Sequence, residues 1–130
     1  MRKIALLGLV LMCSAWASEP PTRLEVAGKT YRLNASAWRD FMPQVGGDGQ
    51  GSNLIVALSL LDEKDQAGPK VAFDQAVVTC AGKQWNTASD QNGTLRGGPK
   101  WAVGSSIEVK AHCKYGWIRL SKPTSIERTD

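Results

Sequence analysis

Alternation of apolar and polar residues with a period of two recurs along this chain. It is interrupted by Gly, Pro, Asn and Asp at intervals of about 8 to 12 residues, the spacing of sandwiches and small barrels. No stretch carries the periodicity of an amphipathic helix, and the alternation from Ile107 to Trp117 is unbroken. These three observations predict an all-β fold, with an immunoglobulin-like antiparallel β-sandwich as the expected architecture and a small closed β-barrel as the runner-up.

The elements follow in order. Arg2 and Lys3, the apolar run Ile4 to Met12 and the small-x-small triplet Ala15-Trp16-Ala17 mark residues 1–17 as a secretory signal peptide. The run is short of the roughly 20 residues a membrane-spanning helix needs, and no later run is longer, so no membrane span is expected. Residues 18–22, with paired Pro20 and Pro21, read as an extended leader. Residues 23–130 read as a single sandwich domain.

Arg23 to Leu33 predicts a hairpin turning at Ala27-Gly28-Lys29. Trp38 to Pro43 interrupts the alternation, and Gly46 to Ser52 is a glycine-rich loop. Leu54 to Leu61 predicts an interior strand with Leu54, Val56, Leu58 and Leu60 on one face. Asp62 to Lys70 is a charged turn. Val71 to Ala81 predicts a strand with Ala76, Val78 and Cys80 inward, and Lys83 to Thr87 its hairpin partner. Ser89 to Gly93 is turn chemistry, and Thr94 to Arg96 a short strand ending at Gly97-Gly98-Pro99. In the long final pattern Ile107, Val109, Ala111, Cys113, Tyr115 and Trp117 face the core, against Glu108, Lys110, His112 and Lys114, on one long strand or a strand pair. The tail to Asp130 is a last short strand or a frayed end.

Lys and Arg number 16 against 12 Asp and Glu, and loss of Arg2 and Lys3 with the signal brings the net charge from +4 to +2. The signs are interspersed along the chain, a pattern that argues against nucleic acid as a partner. Cys13 leaves with the signal, so Cys80 and Cys113 predict one disulfide in an oxidising compartment, worth about 3 kcal/mol in the loop-entropy model. Their spacing fits neither a zinc thiolate cluster nor a redox CxxC motif.

The stretch Trp38-Arg39-Asp40-Phe41-Met42-Pro43, together with Gly98-Pro99-Lys100-Trp101 and the closing Ile126-Glu127-Arg128-Thr129, resembles a group of uncharacterised exported bacterial proteins. The likeness covers most of residues 28–129. It implies export to the periplasm or beyond and a compact domain, and it transfers no site. The Cys80 and Cys113 pair departs from many members of that group.

Catalysis in an exported hydrolase needs a base beside a nucleophile or converging carboxylates. His112 is the one histidine, placed between Lys110 and Lys114 on an outer strand face. Asp48 lacks the further oxygen ligands calcium requires. Asp62, Glu63 and Asp65 sit in a charged turn, and no helix follows Gly97-Gly98-Pro99 to make a phosphate loop. No catalytic residue, metal or cofactor is expected. The remaining lead is aromatic. Trp38 and Trp101 each adjoin a basic residue and a Gly- or Pro-rich loop, so Trp38, Arg39, Asp40, Lys100 and Trp101 form the candidate recognition patch for a protein or glycan partner. The expected function is a non-enzymatic exported binding module. The alternatives are a glycan or small-molecule binder using these tryptophans and a small hydrolase whose carboxylates meet only in the fold.

Overall fold

The computed structural model describes residues 19–41 and 51–129. The signal peptide, Ser18, Met42, Pro43 and Asp48 therefore lie outside the described residues. Among the described residues nine strands occur: β1 (Arg23–Val26), β2 (Lys29–Asp40), β3 (Leu54–Leu61), β4 (Gln75–Cys80), β5 (Lys83–Thr87), β6 (Thr94–Gly98), β7 (Ser106–Cys113), β8 (Gly116–Arg119) and β9 (Thr124–Thr129). No helix occurs among the described residues. The strand order is β5-β4-β7-β9-β2-β3-β6, with β1 added to β2 and β8 added to β7. Every pairing is antiparallel except β2 with β9, which run parallel through Ala37 to Asp40. The sheet curls into a nearly closed, barrel-like sandwich, all-β as predicted and intermediate between the two expected architectures.

The alternation explains the core. Leu54, Val56, Leu58 and Leu60 of β3, Ala76 and Val78 of β4, Ile107, Val109 and Ala111 of β7, Leu95 of β6, Ile118 of β8 and Ile126 of β9 are all buried. Each large aliphatic among them contributes about 1.5–3 kcal/mol of burial. The expected strand beginning at Val71 starts only at Gln75, yet Val71 and Phe73 are buried. Phe73 is held off the ladder by a reciprocal clamp with Ser89: its N–H donates to Ser89 Oγ at 2.8 Å, and the Ser89 N–H donates to the Phe73 carbonyl at 2.8 Å.

Two hairpins have tight turns in which both central residues take positive φ, Ala27-Gly28 (52° and 83°) and Ala81-Gly82 (50° and 82°), the primed geometry that matches strand twist. The interruption expected at Trp38 does not occur, because β2 continues to Asp40 between β3 and β9. Likewise β6 runs on through Gly97 and Gly98. The tail is a strand, β9, rather than a frayed end.

β5 and β6 are the two ends of the strand order, and Trp85 closes the seam between them. A Cβ placed on Gly98 would lie 2.6 Å from Cζ3 of the Trp85 ring, so the indole lies directly on the Gly98 backbone. A strand with a glycine at this point lets the ring cover an edge that would otherwise expose unpaired backbone.

The disulfide expectation is overturned. Cys80 and Cys113 are both buried, on neighbouring strands and on the inner face, but both are free thiols. Thr79 stands opposite Glu108 and Gln75 opposite His112, which puts the two cysteines at opposite ends of the β4–β7 ladder. Their separation along the strands is about 20 Å at the usual rise, whereas a bridge needs Cα atoms within about 7 Å. Sharing a face did not mean sharing a register.

Candidate functional site

The end of the barrel where β2, β6 and β9 finish brings together three of the five residues expected to form a patch. Arg39 points inward and is only 6% exposed. Its Nε donates to the Ser52 carbonyl at 2.9 Å, and its Nη1 to the Trp101 carbonyl at 2.9 Å and the Lys100 carbonyl at 3.4 Å. The guanidinium thus ties β2 to the loop that carries Lys100 and Trp101. The Phe41 ring lies against two guanidinium groups, Arg39 at 4.9 Å and Arg128 at 4.3 Å from the ring centroid. Trp101 is half-buried against the core, and Lys100 is exposed.

Trp38 and Asp40 alternate with Ala37 and Arg39, so they lie on the opposite, outer side of β2. Trp38 is half-buried there, level with Ile55 of β3 and Glu127 of β9. Two tryptophans expected on one patch therefore occupy two sides of one strand, with the charged residue between them committed to backbone carbonyls.

A second concentration of chemistry lies on the outer face of the β5-β4-β7-β8 sheet, which the strand pairing arranges in rows. Gln75, His112 and Trp117 form one row; Asn86, Val77, Lys110 and Arg119 the next; Gln84, Thr79 and Glu108 the third. Trp117 was expected to face the core as a continuation of β7. The turn at Lys114 and Tyr115 instead folds the chain back on itself, pairing Cys113 with Gly116 and His112 with Trp117. Reversal across a two-residue turn changes which parity faces outward, so Trp117 joins His112 and Ile118 takes the inward position.

His112 and Trp117 touch, with ring centroids 5.3 Å apart and planes tilted by 55°. The His112 Nδ1–H donates to Asp74 Oδ1 at 2.7 Å, since a carboxylate can only accept. That hydrogen bond holds the Asp74 carboxyl below its ordinary pKa. The pair orients the imidazole as a base is oriented, but its row neighbours are Gln75 and Trp117, neither of them a nucleophile.

The leader frames this face. Arg119 donates through Nε to the Pro20 carbonyl at 2.9 Å and through its backbone N–H to the Pro21 carbonyl at 3.0 Å, fixing residues 20 and 21 along the edge of β8. Two open concavities result. One of about 310 Å³ is lined by Glu19, Pro20, Lys110 and Trp117. The other, of about 230 Å³, runs on past Lys110 and Arg119 to Val77, Thr79, Gln84 and Glu108. His112 stands near the far end of β7 from the loop bearing Trp101, about 20 Å along the strand, so the two regions are separate.

No family model matches the chain, and no curated protein or solved structure is significantly similar to it.

Proposed function

We propose that this chain is an exported, non-enzymatic binding module that engages its partner on the outer face of the β5-β4-β7-β8 sheet. The observation that carries the reading is Trp117, a half-buried indole that lines a concavity on the outer face, beside His112 and at the border of a field of outward-facing polar side chains. An amphipathic ring at the border of such a field is a frequent anchor of a recognition surface. The face is rigid, because it stands on a core sheet with its leader edge tied down by Arg119. The signal-peptide pattern of residues 1–17 supports a location in the periplasm or outside the cell.

Photo-crosslinking in the producing cells tests this. A crosslinking residue at Gln75 or Asn86 is expected to yield discrete adducts, while one at Arg96 or Lys122, elsewhere on the surface, yields none. Adducts confined to the other positions, or absent at all four together with no saccharide bound, overturn the assignment of the face.

A further inference from the structure

We infer that the ligand of this face is a neutral oligosaccharide of pyranose units. The inference rests on the binding-module reading above and names the chemistry of what is bound.

Three features of the face select against other classes. Its charges nearly cancel: Lys110 and Arg119 are interspersed with Glu108, Glu19 and the Asp74 carboxylate that meets His112. A polyanion such as nucleic acid, or a strongly charged peptide, gains no field from such a surface. Its apolar groups are few, chiefly Trp117 with Pro20, Val77 and Leu120, and its concavities are open and shallow, so an apolar helix or strand finds no continuous apolar groove to fill. What remains is a grid of neutral donors and acceptors: Gln75, Gln84, Asn86 and Thr79 all project from the same side of β4 and β5.

A pyranose matches this pattern on both counts. One face of the ring is a sheet of C–H groups that packs on an indole, and its rim carries hydroxyls that both donate and accept, as carboxamides do. The outward rows span four strands at their widest and four residue steps along β4 and β7, roughly 14 by 13 Å at most, room for more than one sugar ring beside Trp117. The sheet already fixes the backbones that carry these amides, so binding orders side chains only, which suits a ligand held by many weak hydrogen bonds.

The experiment is a fluorescence and calorimetric titration of the purified chain with cellotetraose and, separately, with chitotetraose. Saturable binding of at least one, weakened about thirtyfold in Trp117→Ala and unchanged in Trp101→Phe, is the expected result. Gln84→Ala and Asn86→Ala, both at exposed positions that folding does not need, are expected to weaken it as well. Absence of binding up to about 10 mM of either sugar, or binding indifferent to Trp117→Ala, overturns the inference. Crosslinks from Gln75 or Asn86 to a protein, with no sugar bound, defeat the glycan assignment and leave the binding-module reading standing. Failure of both experiments defeats both.

Discussion

Closure of the barrel at its seam predicts an unusual dependence between two positions. Gly98 has an ordinary backbone conformation, so alanine is not strained there by φ; its methyl would meet Trp85 at 2.6 and 2.7 Å from two ring carbons. The ring or the strand has to shift, and overpacking of this kind costs about 1–3 kcal/mol. Trp85→Ala removes a half-buried indole, and about 2 kcal/mol is expected, below the range for a fully buried aromatic. With the ring gone, the alanine methyl at 98 has space, and the lower entropy of the unfolded chain turns the substitution favourable by about 0.5 kcal/mol. Gly98→Ala therefore destabilises the native background and stabilises the Trp85→Ala background, a coupling of about 1.5–3.5 kcal/mol. Gly97 is the internal control. Its φ of +79° with open space around it makes Gly97→Ala cost about 1 kcal/mol in either background, through backbone strain alone. Urea unfolding of the four-variant cycle, with slopes compared to exclude a changed unfolded state, measures these values. Equal costs of Gly98→Ala in both backgrounds would refute the account of Trp85 as the seam's cover.

Three further outcomes follow from the structure. In the chain lacking residues 1–17, a thiol reagent finds no reactive cysteine in the native protein and two after denaturation without reductant, and the melting temperature is the same with and without reductant; thiols that appear only after reduction would restore the bridge. Arg39→Met lowers stability by about 3 kcal/mol, because the carbonyls of Ser52 and Trp101 lose a charged donor in a buried setting, and Arg39→Lys recovers little of it since an ammonium cannot reproduce the fork; thermal or urea unfolding decides. The carboxyls of Asp62, Asp74 and Asp90 are held below their ordinary range, by backbone N–H groups of Gln66 and Lys64, by His112, and by those of Thr94 and Asn92 respectively. A depressed carboxylate contributes stability that is present above its unfolded pKa and lost as pH falls through the folded one, so the melting temperature declines below about pH 4, and less steeply in the Asp62→Asn, Asp90→Asn double variant.

The acid behaviour and the thiol result arise from opposite kinds of information. The Asp90 turn is local: its carboxylate accepts from the N–H groups of Asn92 and Thr94, and a Ser-Asp-Gln-Asn-Gly run announces that chemistry in the sequence. The same holds for the Ala27-Gly28 hairpin and for the inward faces of β3, β4 and β7, where period-two alternation suffices because a strand's side chains can only point two ways. The outward position of His112 and Lys110 was legible on the same ground.

What the tertiary structure alone decided is everything that depends on pairing between strands. The alternation puts Cys80 and Cys113 on inward faces, but only the β4–β7 register places them at opposite ends of the ladder. It puts Arg39 beside Trp38, but only the arrival of Ser52, Lys100 and Trp101 around β2 turns that arginine inward as a clip. It reads Trp117 as the end of a buried series, but the turn at Lys114 and Tyr115 reverses the chain and exposes the indole next to His112. Sequence determines which of two faces a side chain occupies because that choice is set by neighbouring residues a few ångströms apart. Register, closure and the assembly of a surface from four strands are set by contacts between residues far apart in the chain, and no local pattern contains them.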